Sequence, residues 1–426
     1  MLKHCLICAA LFFLPVSAFA QPLPAEAIKL EPSALSIDDV QSIIMKRNRS
    51  VLRASAEVAK CESALKAVQA TQYPTLAFFG FEGFQTAGGH RNNLAVLPGV
   101  FQPVTQLYRI RMQVEQAKIS LKIAREQLRL AKQSSVAEAK QTYLRMIALQ
   151  SAVASRKENL EFLNSLVAYV SAEVKREAVL RVDLMGVQAR EAQAEYELER
   201  DSDELITAGQ NLNRFLDRPL QTTITVLEQP VIPAQYKPAE TAMTQAVLRR
   251  PEVAALQLNA NRFHLEEKIT LSRYIPDISL GGTSIFSRGF DVTFPRQFLS
   301  FGALGVWEPW DWGRRREQAR VAARQRDQLR IELSDTSDKV SVEADNARRS
   351  LKVREKEIRA AELLQSSSFE QLRIARRRFG VGAALLKDVL EAQTSYANAI
   401  AQSVKAKTDY ANAIVEYDRA VGRDFD

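Results

Sequence analysis

Histidine and cysteine are nearly missing from this chain, with three of each in 426 residues. His90 and His264 lie far apart, and neither has a second His or Cys at ligand spacing, so no metal site is expected. Cys5 and Cys8 fall within the first twenty residues, without the small-residue box that a lipid anchor needs. Cys61 is left alone, which excludes a disulfide framework. No nucleophile motif, phosphate loop or histidine-containing acid–base cluster is found, so neither catalysis nor a cofactor is expected. A large excess of one charge is lacking too. The 58 Lys and Arg face 50 Asp and Glu. They are spread along helices beside nearly as many acids, which reads as solvated faces and not as a nucleic-acid surface.

The first twenty residues have the form of a secretory signal peptide. Lys3 and His4 make the basic start, Leu6 to Val16 the apolar run, and Ala18-Phe19-Ala20 the cleavage site. The mature chain is expected to begin near Gln21. An uncleaved anchor is the alternative, although the apolar run is short and wrongly flanked for a membrane helix.

Glycine and proline are scarce, at 16 and 15 residues, and unevenly placed. Neither occurs between Pro103 and Gly186, about eighty residues, nor between Gly313 and Gly380. Within the first stretch Leu107, Ile110, Val114, Ala117, Leu121, Ala124, Leu128 and Ala131 recur at 3-4 spacing. That is the seam of a left-handed coiled coil. The seam returns after a phase slip at Leu160, Leu163, Val167, Val170 and Val174. Val104 to Val174 as one helix would extend roughly 100 Å. No compact domain is that wide, so the helices must form a rod or the wall of a tube.

The chain also repeats itself. Arg49-Ser50-Val51 lines up with Pro251-Glu252-Val253, and Tyr73-Pro74-Thr75-Leu76 with Ile275-Pro276-Asp277-Ile278. Val100-Phe101-Gln102-Pro103 matches Val306-Trp307-Glu308-Pro309, and Asp183-Leu184 matches Asp388-Val389. The helices then stay in step to Arg218 and Arg423. The first unit covers residues 21–230, with a helix, a β-hairpin at 75–102 and a long helical hairpin at 104–216. The second covers 231–426, with a hairpin at 277–307 and a helical hairpin at 313–421. Pro219 to Pro238 is the joint.

The segments before the long helices are rich in aromatics and glycine. Leu76 to Phe84 and Leu94 to Phe101 read as strands around a loop at 88–93. Ile278 to Phe286 and Phe298 to Trp307 do the same around a loop at 289–296. Their lengths suit strands crossing an outer membrane. Trp307, Trp310 and Trp312 then form an interfacial aromatic girdle. A small soluble β-cap with the tryptophans as its core is the alternative. Two hairpins supply only four strands, which cannot close a barrel, and membrane strands cannot leave open edges. Strands in a bilayer would therefore have to be shared among several chains.

Arg378-Phe379-Gly380-Val381-Gly382, followed by Leu385 to Ala392, resembles the helix-tip signature of the TolC family of outer-membrane efflux proteins. That signature is a Val-Gly turn with an acid six positions after the Gly. Pro103 to Leu107 and Pro309 to Gly313 resemble the family's strand-to-helix junctions, and the likeness spans the mature chain. It implies a mainly α homotrimer with short transmembrane β segments. Long coiled-coil helices would form an α-barrel in the periplasm, topped by a shared twelve-stranded β-barrel in outer-membrane lipid, four strands coming from each of three chains. The partners implied are a periplasmic adaptor (membrane fusion protein) and an inner-membrane transporter.

The resemblance puts a constricting acidic ring at Asp388 and Glu391, with Asp183 retained in the first unit. Such rings favour cations; two acids three apart on a helix also occur as a plain solvated face. Val381, Gly382 and Leu385 would touch the adaptor or only cap the hairpin. Two departures stand out. Glu177 replaces the tip glycine in the first unit, where a left-handed turn costs more, so a tip of different shape is expected there. Phe379 and Ala384 stand where some members lock the closed tip with a Tyr and an Arg.

The function expected is an exit duct for tripartite efflux or type I secretion, with drug, protein and metal-ion export all open. The rivals are a periplasmic structural coiled coil and an adaptor. An adaptor would place one hairpin inside a lipoyl-like β-domain, whereas here the whole unit is doubled.

Overall fold

A computed structural model describes residues 34–85, 91–177, 179–226, 236, 241–288 and 297–425. The expected leader at 1–20, the expected loop at 289–296, residues 88–90 of the first expected loop and most of the second half of the expected joint lie outside the described residues.

Six elements come twice in the same order. The first set is α1 (Ile37–Arg47), α2 (Arg49–Ala70), β2 (Thr75–Gln85), β3 (Arg91–Pro103), α3 (Gln106–Lys175) and α4 (Arg181–Phe215). The second is α5 (Ala242–Arg249), α6 (Pro251–Ser272), β5 (Asp277–Arg288), β6 (Gln297–Val306), α7 (Arg314–Gly380) and α8 (Leu386–Ala420). Two short strands, β1 (Ala34–Leu35) and β4 (Thr225–Val226), pair in parallel beside them.

α3 has 70 residues and α7 has 67, so each is about 100 Å long. The helices lie side by side as a ribbon. On the sheet side its order is α2-α3-α6-α7, and toward the far tips it is α4-α3-α8-α7. The long helices run through both halves, while α2 gives way to α4 and α6 to α8. The seam positions Ile110, Val114, Leu121, Ala124, Leu163 and Val170 are all buried.

The two medium helices break at equivalent places for different reasons. Asn48 caps α2, its Oδ1 accepting the N–H groups of Ser50 and Val51 at 2.9 and 3.4 Å; this satisfies donors that a helix start leaves unpaired. At the second break Pro251 is the first residue of α6, and its ring cannot continue α5. Each break residue also reaches the last turn of its own unit's closing helix. Asn48 Nδ2 donates to the Phe215 carbonyl at 3.0 Å, and Arg250 donates to the Arg419 carbonyl at 3.1 Å.

Around mid-length a collar of β1, α1 and β4 packs on α3. Leu35, Val40 and Ile44 meet Val136, Tyr143 and Met146, with Leu212 and Leu216 closing the cluster. The Tyr143 hydroxyl donates to the Leu35 carbonyl at 2.9 Å. Among the described residues this is the largest apolar core, and it explains why α3 buries so much of its circumference there.

Candidate functional site

The two ends of the ribbon carry the candidate residues. At the tip, α3 turns into α4 through Glu177 and α7 turns into α8 through Gly382. Both residues are left-handed, with φ of 61° and 72°. The first tip thus keeps the geometry of the second without its glycine, at a cost on the order of 1 kcal/mol. Val381 and Leu385 are 75% and 71% exposed. Asp388 and Glu391 sit one turn apart on the exposed side of α8, while Val389 and Leu390 are buried. Leu390 packs with Leu163, Val170 and Val187, so the second hairpin leans on the first. Asp183 is exposed in the first turn of α4, whose packing partner is α3. The structure therefore brings Asp388 and Glu391 together and holds Asp183 on a separate helix.

Asp388 is also structural. Its Oδ2 accepts the Leu385 N–H at 3.0 Å, satisfying one of the free donors at the start of α8. Glu391 lies 3.6 Å from Lys387. Phe379 and Ala384 are half-buried and offer no polar side-chain group. A contact absent from the sequence reading ties the tip instead. The Arg376 guanidinium donates to Gln393 at 2.8 Å and lies 5.7 Å over the Phe162 ring, joining α7, α8 and α3. No local spacing signals that meeting, because the three residues lie on three helices.

At the other end the sheet has the order β2-β3-β5-β6, entirely antiparallel. Paired residues share a face, so the registers sort the side chains. One face carries Leu76, Phe78, Val100, Leu280, Leu299 and Phe301, all exposed. The other carries Thr75, Asp277, Ser279, Thr283 and Ser300, with Phe79, Phe298, Leu304 and Val306 as the exposed apolar exceptions. The Gly281-Gly282 pair lets rings lie flat on opposite faces: a Cβ at Gly281 would meet Phe101, and one at Gly282 would meet Phe301. The outer strands β2 and β6 have no second neighbour among the described residues.

The three tryptophans fall between β6 and α7. Trp307, Trp310 and Trp312 are 61%, 71% and 90% exposed. Trp307 Nε1 donates to the Tyr274 carbonyl at 3.3 Å, and Trp310 and Trp312 meet edge to face at 5.8 Å. They ring no core of this chain. Beneath them the buried Arg315 bonds the Glu308 carbonyl at 2.8 Å, and the Asp311 carboxylate accepts the Gly313 and Arg315 N–H groups. This fixes how the sheet joins the long helix.

The ribbon has open edges as well. α7 exposes Val342, Val353, Leu363 and Ile374, and α4 exposes Val182, Met185, Tyr196 and Ile206. Spacings of three, ten or eleven residues keep each set on one side of its helix. Among the described residues no helix is long and apolar enough to cross a membrane, and no cluster of metal-ligating side chains occurs.

Residues 242–423 match the model of the family described as outer membrane efflux protein. That stretch resembles the family in sequence. The family's work is transport and not catalysis, and its place is the outer membrane. The efflux-protein match runs from α5 to just past α8, the second of the two element sets; the resemblance to TolC-like channels holds for the chain as a whole in its fold. The Campylobacter jejuni CmeC outer membrane channel superposes with a TM-score of 0.82 at 16% identity, over 91% of this chain and 85% of that one. The outer membrane protein VceC of Vibrio cholerae gives 0.78 at 16%, over 92% and 97%. The open state of the Neisseria gonorrhoeae MtrE outer membrane channel gives 0.77 at 17%, over 91% and 88%. No curated protein matches the chain.

Proposed function

We propose that three copies of this chain form an outer-membrane exit duct, passing substrates received from a periplasmic adaptor and an inner-membrane transporter. The observation that carries this reading is the sheet with two open edges. A four-stranded sheet with one strongly apolar face cannot sit in lipid with unpaired backbone groups along β2 and β6. Three copies placed edge to edge give one closed barrel of twelve strands, four from each chain. The same operation sets the α7 stripe of one chain beside α2 and α4 of the next. Covering each exposed aliphatic side chain there is worth roughly 1.5–3 kcal/mol.

In this reading the duplicated units, 21–230 and 231–426, supply two strands and two hairpin helices each. Trp307, Trp310 and Trp312 lie in the interface below the barrel, where amphipathic rings are favoured. Asp388 and Glu391, joined by Asp183, form the acidic constriction at the periplasmic tip. Val381, Gly382 and Leu385 form the apolar rim on which the adaptor docks, and the leader at 1–20 directs export.

The mass of the detergent-purified protein and its conductance in planar bilayers test the proposal. A trimer with low cation-selective conductance is expected. Asp388→Asn with Glu391→Gln is expected to raise that conductance, because Asn keeps an oxygen for the Leu385 N–H while the charge is lost. A trimer indifferent to these changes removes the gate and keeps the duct. A detergent-independent monomer or dimer without channel activity overturns the duct and leaves a periplasmic coiled coil.

A further inference from the structure

A wide groove runs along the middle of the ribbon, walled by α3, α4, α7 and α8. On α3 its residues include Glu138, Thr142, Arg145 and Arg156. Those facing the collar are Val136, Tyr143 and Met146. At 100° per residue Glu138, Arg145 and Arg156 lie across the helix from Val136 and Tyr143, while Leu149, Ala208 and Phe215 border both groove and collar. α8 repeats the arrangement, with Lys405, Asp409 and Glu416 on the groove and Tyr410, Ile414 and Tyr417 in the apolar cluster that holds Tyr236. In a duct the collar lies outside, since inside it would fill the bore, and the groove is then a belt of the inner wall.

The belt is charge-balanced. Six basic and six acidic side chains line it. Many are paired: Arg145 with Glu204 at 3.4 Å, Arg156 with Glu197 at 2.5 Å and Asp201 at 3.4 Å, Arg200 with Asp201 at 2.7 Å, and Arg354 with Glu357 at 2.6 Å and Asp409 at 3.6 Å. Opposite charges held this close cancel at short range and leave little net field for a passing ion. The tip, by contrast, exposes Asp388 and Glu391. Arg156 and Arg145 precede the end of α3 at Lys175 by 19 and 30 residues, or roughly 30 and 45 Å along the helix. The Debye length is about 10 Å at 0.1 M salt, so belt and tip act on ions independently.

We infer that this belt is a charge-neutral section of the duct, which admits solutes of either sign and leaves ion selectivity to the tip. The pairing of Arg145, Arg156, Arg200 and Arg354 with their carboxylates is the device that keeps it neutral. The inference rests on the duct reading, and the test separates the two.

Reversal potentials are measured across bilayers under a potassium chloride gradient, for the unaltered trimer and for Asp388→Asn with Glu391→Gln. The tip variant is expected to lose cation preference, its potassium-to-chloride permeability ratio falling toward unity. Adding Arg145→Gln, which uncovers Glu204 in every subunit, is expected to restore a cation preference. A conducting tip variant that stays strongly selective for either sign overturns the neutral belt while leaving the duct intact. So does a triple variant whose ratio does not move. A chain that forms no trimeric channel overturns the duct, and the belt with it.

Discussion

Replacing Asn48 probes the joint between collar and hairpin, and its cost is worked from four hydrogen bonds. The residue is 5% exposed. Its Oδ1 accepts the N–H groups of Ser50 and Val51 and the Ser135 hydroxyl, the last at 3.3 Å, and its Nδ2 donates to the Phe215 carbonyl. Asn48→Ala removes the cap, worth about 1 kcal/mol. It also strands a part-buried carbonyl, worth about 1–2 kcal/mol. The expected loss is therefore roughly 2–3 kcal/mol of local stability. Hydrogen exchange across α1 in the detergent-purified protein should then quicken about 30- to 140-fold, at tenfold per 1.4 kcal/mol. Asn48→Asp is the discriminating variant. Aspartate caps as well as asparagine, but it points an oxygen at the Phe215 carbonyl and buries a charge. Exchange should quicken in this variant also. Wild-type exchange in Asn48→Asp would reduce the residue to a cap, and wild-type exchange in Asn48→Ala would refute the joint altogether.

Glu177→Gly is expected to raise the thermal midpoint of the protein, because it relieves a left-handed side chain at a cost of about 1 kcal/mol; Gly382→Ala should lower it by a similar amount. An unchanged midpoint in the first variant would show that the turn carries no strain. The C-terminal segment should loosen in acid. Asp424 accepts from Arg129 at 2.7 and 2.9 Å and from Gln133 at 2.9 Å, and the Arg129 bond first, then that of Gln133, holds its carboxyl below the usual range. A depressed folded value means the contribution is complete above the unfolded value near 3.9 and fades as pH falls through the folded one. Exchange at residues 421–425 should rise only below about pH 4, and Asp424→Asn should remove that dependence.

What could be read from sequence follows the kind of packing involved. The α3 seam from Leu107 to Ala131 was legible because one helix face meets its neighbours at regular spacing. Residues 133–147 were not. There Gln133, Ser135, Tyr143 and Met146 are all buried, since the collar covers a side that is exposed elsewhere, and the periodic signal is lost. β1 and β4 are two residues each, too short for an alternation to show, and their pairing joins distant parts of the chain. The returning strand β3 begins at Arg91, earlier than the expected Leu94, because its register with β2 carries on through the polar Asn92 and Asn93. At the tip, comparing the two units singled out Glu177 as the counterpart of Gly382, but the different shape expected there is not found, since both residues are left-handed. The stacking of Arg376 on Phe162 left no trace, because it depends on how two hairpins lean together.

The two units preserve geometry where they have exchanged chemistry, and this bears on assembly. Asn48 and Arg250 are unrelated side chains, yet each stands at a helix break and grips the closing helix of its own unit. Asp217 and Gly422 are both left-handed just past those closing helices, and the following residues, Arg218 and Arg423, bond back five residues to Asn213 and Asp418. Each unit is thereby closed on itself at the collar. Arg250 goes further, bonding Glu252 and Glu343, so the second collar half also grips α7. The polar and apolar contacts that would hold a neighbouring chain must then come from elsewhere. Among the described residues the lateral edges are left unpartnered: the apolar stripes of α7 and α4, and the outer strands β2 and β6. In the proposed trimer these open sides are the surfaces that neighbouring copies would cover.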